Sequence, residues 1–313
     1  MKKMLSVFLC ALMLITLTCC KADDNKIKNE KLSVVAVLFA EYDLAKHVAG
    51  DYADVSMLLP PGSESHSYDP TPKDIILIEN ADVFVCTGGE SDSWLDTILT
   101  SSKNSDITVL KMMEICEAKE EETVEGMQEE KGESGDEIEY DEHVWTSPKN
   151  AMIIIDAITK TLCEKDPNNA DSYLINSENY KSEINELHNE FLLLRENAVR
   201  NEIIFADRFP FRYFADEYNL KYYAAFPGCS GESEPSAGTV RFLIDKVRSD
   251  EIPCVFTIEF SNKAIAYAIS DETGARILQF HSCHNVTKEE FSSGVTYVSL
   301  MRQNLNNLKE ALS

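Results

Sequence analysis

Short apolar runs alternate with amphipathic segments along most of the chain, and polar or turn-forming residues separate them. Runs such as 34–39 and 83–87 are mostly apolar, which is typical of parallel strands buried on both faces. Thr71-Pro72-Lys73-Asp74 combines an N-cap residue with a proline at the first helical position, which predicts the start of a helix. The alternation predicts an α/β fold with parallel sheets and flanking helices. The predicted strands are 34–39, 55–59, 83–87, 107–110, 203–206, 222–226, 254–258 and 277–280, and the predicted helices are 42–50, 72–80, 91–100, 148–163, 211–218, 236–249, 262–273 and 296–312.

One segment, 166–200, differs because it has helical character throughout. Apart from a proline at its start it contains no proline or glycine, and apolar residues such as Tyr180 and Leu187 recur every seven residues. A helix of about 33 residues is about 50 Å long, which suits a rigid connection between two domains. We therefore expect two similar α/β lobes, 32–165 and 201–313, joined by one long rigid helix.

Residues 114–142 break the alternation through their charge. Fourteen acidic residues stand against two lysines in this stretch. Such a segment repels itself and has too little apolar area to fold alone, so we expect an acidic mobile loop in the first lobe. Two roles are open: a solvated spacer, or a segment that concentrates divalent cations near a binding cleft.

The N-terminus has the features of an export signal. Two lysines precede an apolar core of about 14 residues, whereas a membrane-spanning helix needs about 20. Leu17-Thr18-Cys19-Cys20 resembles a bacterial lipobox, in which the cysteine at the cleavage site becomes lipid-modified. We expect residues 1–20 to be the signal peptide, Cys20 to be lipidated with Cys19 as the alternative, and 21–31 to be a tether. A plain secretory signal is the other interpretation.

The charge of the chain limits its partners. Acidic residues number 54 and basic residues 29, which gives a formal net charge of -25. A surface of this sign argues against nucleic acid and favours cations or neutral molecules. The motifs of serine hydrolases, metalloproteases, P-loop proteins and dinucleotide-binding proteins are absent from the sequence.

Six cysteines follow the leader, and none forms a C-x-x-C pair. Disulfides are allowed outside the cytoplasm. Cys86 and Cys254 lie in apolar runs and are expected to be buried thiols. Cys229 and Cys283 lie near the expected cleft, where a disulfide and two free thiols both stay open.

Four of the six histidines fall at loops or strand ends, where open α/β sheets place their ligands. They are His66, His143, His281 and His284. His47 and His188 fall inside predicted helices and are expected to be ordinary surface or groove residues. Neutral imidazoles gathered between two domains favour zinc, which takes nitrogen ligands, over calcium or magnesium, which prefer oxygen.

The chain resembles the metal-binding solute receptors of bacterial ABC importers, especially the zinc-uptake lipoproteins. The resemblance covers about 32–312, and its motifs are specific in combination. They are Leu59-Pro60-Pro61-Gly62, His66-Ser67-Tyr68-Asp69-Pro70-Thr71-Pro72-Lys73-Asp74, His143-Val144-Trp145-Thr146-Ser147-Pro148-Lys149-Asn150-Ala151 and Glu232-Ser233-Glu234-Pro235-Ser236. This likeness implies two lobes around a long helix, with one metal ion in the cleft between them.

The resemblance also implies the ligands. His66 and His143 match the first two histidine ligands of the family. Asp207 stands nearest to the third, where the segment carries one extra residue, and His281 stands where an aspartate is common. This gives a set of His66, His143, Asp207 and His281. His284, Cys283, Glu232 and Glu234 are the substitutes.

The resemblance implies a function as well. We expect a monomeric, lipid-anchored receptor on the outer face of the cell membrane that binds Zn²⁺ and delivers it to a permease with a cytoplasmic ATPase. We expect no enzymatic activity and no nucleic-acid partner. The alternatives are a manganese or iron receptor of the same architecture, an extracellular zinc metallohydrolase, and an adhesin or structural lipoprotein.

Overall fold

The computed structural model describes residues 31–65, 68–101, 104, 106–128, 139–230 and 234–313, and within it Leu32–Ser313 form one compact unit. The first half contains β1 (Leu32–Ala36), α1 (Phe39–Ala49), β2 (Ala53–Met57), α2 (Pro72–Glu79), β3 (Val83–Cys86), α3 (Trp94–Ser101), β4 (Thr108–Lys111), α4 (Met112–Ile115), β5 (Lys119–Glu120), β6 (Tyr140–Asp141) and α5 (Pro148–Lys165). The long helix α6 is Ala170–Asn197. The second half contains β7 (Glu202–Phe209), α7 (Arg212–Glu217), β8 (Lys221–Pro227), α8 (Ala237–Ser249), β9 (Cys254–Thr257), α9 (Ala264–Thr273), β10 (Arg276–Gln279), α10 (Lys288–Ser293) and α11 (Tyr297–Leu312). Short 3₁₀ turns occupy Glu90–Asp92, Val144–Thr146 and Pro167–Asn169.

Two four-stranded parallel sheets confirm the α/β prediction. The strand order is β2-β1-β3-β4 in the first sheet and β10-β9-β7-β8 in the second. Strands β3 and β9 are buried along their whole length, as their apolar runs predict. The first strand ends three residues earlier than predicted, because Phe39 already begins α1 and buries its ring there.

Helix α6 packs against both halves of the molecule. It contacts α1 and α5 on the first side and α11 on the second. Its buried residues Tyr180, Ile184, Leu187 and Phe191 form the stripe that the heptad spacing predicts. Within the described residues α6 thus joins the two sheets, as expected, while the lobe boundaries at 165 and 201 stay predictions.

The acidic segment differs from the prediction of one mobile loop. Its described parts, 114–128 and 139–142, contain the end of α4 and the antiparallel pair β5 and β6. Backbone groups attach it to the second sheet: Gln128 N–H donates to Ala225 O at 2.9 Å. These parts thus contain regular structure and contact the second half, while the mobility of the segment and its bounds stay predictions.

The leader lies outside the described residues, and so do the expected lipidation site Cys20 and its alternative Cys19. No helix among the residues that the structure does describe is both long and apolar enough to cross a membrane.

Candidate metal centre

A cleft between the carboxyl ends of the two sheets contains two small cavities on either side of His284. The first is about 60 Å³ and is lined mainly by the second sheet's loops; the second is about 20 Å³ and faces the first sheet. His284 and Ser65 line both cavities. Ser65 directly precedes His66, which lies outside the described residues.

His143 lies in this cleft, between β6 and the Val144–Thr146 turn, and it is completely buried. Oδ1 of Asp141 accepts the backbone N–H of His143 at 2.8 Å and lies 3.0 Å from Nδ1 of its ring. A carboxylate only accepts hydrogen bonds, so Nδ1 of His143 carries the ring proton and Nε2 carries the lone pair. Burial by itself would lower the pKa of His143, but the carboxylates of Asp141 and Glu142 outweigh it and raise the pKa.

His284 faces His143 across the cleft. The two ring centroids are 4.7 Å apart and the ring planes meet at 84°. The ring of Trp145 stands 5.1 Å from that of His284 and completes the aromatic wall. The geometry therefore pairs one imidazole from each half of the molecule.

The N-terminus of α1 fixes the position of the loop that carries His284. Leu38, the N-cap residue, offers no side chain to the first N–H groups of the helix. Carbonyl groups from the other half replace it: Phe39 N–H donates to His284 O at 2.9 Å, and Ala40 N–H donates to Cys283 O at 3.1 Å. Unpaired N–H groups at a helix start need such acceptors, so these bonds hold the loop against the first sheet.

His281 lies deeper than His284 and is 2% exposed. Its Nδ1 accepts the backbone N–H of Cys283 at 2.9 Å, and Asn304 hydrogen-bonds both its N–H and its carbonyl group. An acceptor at Nδ1 means that the neutral ring has its proton on Nε2. In this state neither ring nitrogen of His281 has a lone pair to offer to the cleft.

Asp207 lies on β7 and lines the first cavity and an adjacent one of about 170 Å³. Its Oδ1 accepts the backbone N–H of Arg208 at 2.9 Å, and burial raises its pKa. The register of β7 against β8 shifts between Phe205 and Arg208, so β7 contains one residue more than its partner there.

Arg208 closes the same side of the cleft. Its guanidinium donates to Ser230 O at 3.2 Å and lies 3.3 Å from Oε1 of Glu64 in the first half. Glu64 stands two residues before His66, so the ion pair links β7 to the loop that carries that histidine.

Three of the four predicted ligands, His143, Asp207 and His281, lie in the described part of the chain, and they form no group that could hold a metal ion. His66 lies outside the described residues, and no three His, Cys, Asp or Glu side chains of the described part of the chain are placed to hold a metal ion together. The structure brings His143 close to His284 rather than to His281. Glu232 also lies outside the described residues, and Glu234 is exposed.

The cysteines near the cleft are free thiols. Cys229 and Cys283 form no disulfide, and burial raises the pKa of both thiols well above the usual range. Metals bind the thiolate, so Cys283 would have to lose its proton to act as the substitute ligand.

The histidines in helices are structural. His47 is partly exposed and stacks on Tyr180 with ring centroids 3.8 Å apart. His188 is buried, contrary to the expectation of a surface or groove residue, and its Nδ1 lies 2.9 Å from the Tyr218 hydroxyl. Neither belongs to the cleft.

Sequence reasoning missed two carboxylates that contact the site. Asp141 stands two residues before His143, a spacing visible in the sequence, while Glu259 reaches the His284 loop from the end of β9 and has no local signal. The first could have been found from its neighbour, the second only from the fold.

Comparison with known proteins agrees with this architecture. The family model described as ZnuA, zinc-uptake complex component A, periplasmic, matches residues 34–311. The high-affinity zinc uptake system protein ZnuA of Bacillus subtilis (strain 168) is 29% identical over 318 residues, which cover 99% of this chain and 98% of that protein.

Two further similarities involve a longer protein. The zinc-binding lipoprotein AdcA of Streptococcus pneumoniae (strain ATCC BAA-255 / R6) is 29% identical over 311 residues, and the match covers 98% of this chain but only 61% of AdcA. The crystal structure of the Zn(II)-bound ZnuA-like domain of that species' AdcA superimposes with a TM-score of 0.72 at 26% identity, covering 90% of this chain and 99% of that domain. Since the family model spans nearly the whole described chain, this protein belongs to the ZnuA family of zinc-uptake components.

Proposed function

We propose that this chain captures Zn²⁺ outside the cytoplasm and delivers it to the permease of an ABC importer. The observation that carries the proposal is the buried pair His143 and His284, two imidazoles from opposite halves with ring centroids 4.7 Å apart. Two converging imidazoles favour zinc over calcium or magnesium. The B. subtilis and S. pneumoniae relatives are named for zinc uptake and zinc binding.

We propose His66, His143 and His284 as zinc ligands. In support of His66, its neighbour in the sequence, Ser65, lines both cavities beside His284. The fourth coordination position of the zinc ion is then filled by Asp207 or by water. His281 stays the alternative to His284: its Nε2 is buried without a hydrogen-bond partner among the described residues, and it would bind zinc after losing the proton that the hydrogen bond at Nδ1 assigns to it.

The carboxylates around the pair support a binding role rather than catalysis. Asp141 is engaged with His143, and Glu142 accepts the N–H of Ser91 at 3.1 Å as well as its hydroxyl proton. A catalytic zinc site needs an open position and a base that can move a proton. Here both carboxylates adjoining His143 orient other groups.

The remaining features belong to the same proposal. A lipid on Cys20 would hold the receptor at the outer membrane face, next to the permease and its ATPase. Metabolic labelling with a radioactive fatty acid tests this: the label should persist in Cys19→Ala and disappear in Cys20→Ala, and the reverse pattern would assign Cys19.

Calorimetry on metal-free protein tests the ligand assignment. His143→Ala and His284→Ala should each weaken zinc by more than about 100-fold, beyond the 10- to 100-fold cost typical of residues that only support a ligand. His47→Ala is the control, because that ring stacks on Tyr180 outside the cleft. Unchanged affinity in His284→Ala together with a loss in His281→Ala would replace His284 by His281. Tighter binding of Mn²⁺ than Zn²⁺ by the unaltered protein would contradict the choice of metal.

A further inference from the structure

The imidazole of His284 ends a buried chain of hydrogen bonds that begins at a carboxylate. Glu259, just past β9, is 7% exposed, and Ser282, just past β10, is 1% exposed. Oε2 of Glu259 accepts the backbone N–H of Ser282 at 2.8 Å, and Oε1 accepts its hydroxyl proton. The Ser282 oxygen in turn contacts Nδ1 of His284.

The direction of the protons in this chain follows from the groups at its start. A carboxylate only accepts hydrogen bonds, and each oxygen of Glu259 accepts one donor of Ser282. The hydroxyl group of Ser282 therefore donates its one proton to Glu259. Its oxygen is left to accept a proton from Nδ1 of His284, and so Nε2 of His284 keeps the lone pair.

The neighbouring histidine has the opposite proton arrangement. Nδ1 of His281 accepts from the backbone N–H of Cys283 at 2.9 Å, so a neutral His281 is protonated on Nε2. Two histidines of one short loop are thereby set in opposite tautomers by their surroundings. Only His284 presents a lone pair at the nitrogen farther from the backbone.

We propose that Glu259 and Ser282 are positioning residues that hold His284 in the tautomer and orientation required to bind zinc through Nε2. The inference rests on the proposed function, because it takes His284 to be a zinc ligand. Neither residue touches the metal in this scheme. They act through the ring nitrogen that faces away from it, as the outer partners of metal-bound histidines generally do.

Glu259→Gln gives the sharpest test, because it preserves the size of the side chain but reverses the direction of the hydrogen bonds from residue 259 to His284. The backbone N–H of Ser282 can only donate, so it draws the amide oxygen of the glutamine. The amide NH₂ then faces the Ser282 oxygen and donates to it, which turns the hydroxyl proton toward Nδ1 of His284. The expected result is a His284 ring protonated on Nε2.

Nitrogen-15 NMR of the imidazoles in the metal-free full chain reads this directly. The unaltered protein should show His284 protonated on Nδ1 and His281 on Nε2, and Glu259→Gln should switch His284 alone. Zinc affinity should fall by about 10- to 100-fold in Glu259→Gln and Ser282→Ala. Ser282→Thr, which keeps the hydroxyl group, should restore it.

The control variant is Thr257→Val. Thr257 lies in β9, two residues before Glu259, and its buried hydroxyl group has no hydrogen-bond partner among the described residues. The substitution keeps the shape of the side chain, so it should leave the His284 tautomer and the zinc affinity unchanged. The loss in Ser282→Ala would then not be the general effect of deleting a buried hydroxyl group near this site.

The outcomes separate this inference from the proposed function. Failure of the unaltered protein to bind zinc would contradict the function itself. If the unaltered protein binds zinc while Ser282→Ala and Glu259→Gln retain both its Kd and a proton on Nδ1, the positioning role is overturned. Equal losses in Ser282→Thr and Ser282→Ala would also overturn it, because they would make packing rather than the hydroxyl group responsible.

Discussion

Asp92 is a buried acid whose charge opposes folding. Burial is the main reason that its pKa is raised to about 6, and the nearby Glu142 carboxylate adds to the effect. Glu41, which is completely buried, also has a raised pKa through burial, with Asp92 adding to it. The folded state therefore binds protons more tightly than the unfolded chain at these acids.

The sign of the pH dependence follows. An acid with a raised pKa makes the folded state less stable as pH rises from its unfolded value, about 4, to its folded value of about 6. Asp92→Asn removes the charge, and the amide oxygen can still accept the Gly88 N–H that Asp92 now binds at 2.9 Å. The free energy of unfolding should then rise at pH 8 by up to about 3 kcal/mol and stay nearly constant at pH 4.

Urea unfolding of the metal-free protein at the two pH values measures this difference. Asp96→Asn is the control, since Asp96 is an exposed acid in the neighbouring α3 helix. A stability change of equal size at pH 4 and pH 8 would show that packing, rather than ionisation of Asp92, is responsible.

At the residue scale, the sequence predicts which residue types form the site but not which histidine of the 281–284 loop faces the cleft. Four histidines at loops and strand ends already indicate zinc. The choice between His281 and His284 depends on hydrogen bonds from Cys283, Ser282 and Glu259, and Glu259 is 23 residues from Ser282 in the sequence. Local spacing contains no information about contacts at that distance.

At the scale of elements, the largest departure from expectation is the acidic strap, the name we give to residues 117–128. Lys119 pairs with Asp216 at 2.6 Å, and Glu122 binds Arg212 and the hydroxyl group of Tyr222. These partners come about 90 to 100 residues later. A count of the charges within the segment shows mainly repulsion, because Arg212, the cation that pairs with Glu122, lies in the other half.

Gly126 of the strap lies against Phe242 of α8. Its φ of +85° is one that side chains rarely adopt, and an added Cβ would stand 2.0 Å from the ring of Phe242. Gly126→Ala should therefore detach the strap locally and lower the free energy of unfolding by about 1 to 3 kcal/mol.

Gly238→Ala is the matched control for this substitution. Gly238 lies in α8, where a Cβ would meet only the Ser236 hydroxyl oxygen at 3.5 Å. Alanine in a helix should stabilise the protein by up to about 1 kcal/mol. Thermal unfolding of both variants checks the pair, and a stable Gly126→Ala protein would mean that the strap contributes nothing to the fold.

Most other elements could be predicted because their signals are local. The buried strand β9 starts at the predicted residue, and α8 begins one residue after its N-cap Ser236. Helix α10 was missed although Thr287 and Glu290 form a capping box at its start. Its six residues bury no side chain, so no apolar periodicity marks it.

At the scale of the whole molecule, the two sheets share one core. Phe280 of the second half packs against both Phe205 and Phe214. Phe214 packs edge-on against Phe191 of α6, and α6 also contacts helices of the first half. The Tyr297 hydroxyl group donates to Trp145 O at 2.8 Å. The predicted lobes therefore share one large core, and the second half has in addition a smaller core of its own that includes Ile204, Leu243 and Val255.

This shared core predicts that the halves unfold together. Two native cysteines serve as reporters without any substitution: Cys86 in β3 and Cys254 in β9, both completely buried. A thiol reagent reaches such groups only after unfolding. Pulse labelling along a urea gradient, with mass spectrometry of the two peptides, should give one midpoint for both thiols.

Leu187→Ala extends the same test to the connection itself. Leu187 is completely buried in α6, and its truncation should cost about 2 to 5 kcal/mol through lost burial and the cavity it leaves. Because α6 contacts both halves, the midpoints of Cys86 and Cys254 should fall by the same amount. Labelling of Cys254 at a lower urea concentration than Cys86, in either protein, would show two independent folding units and contradict a common core.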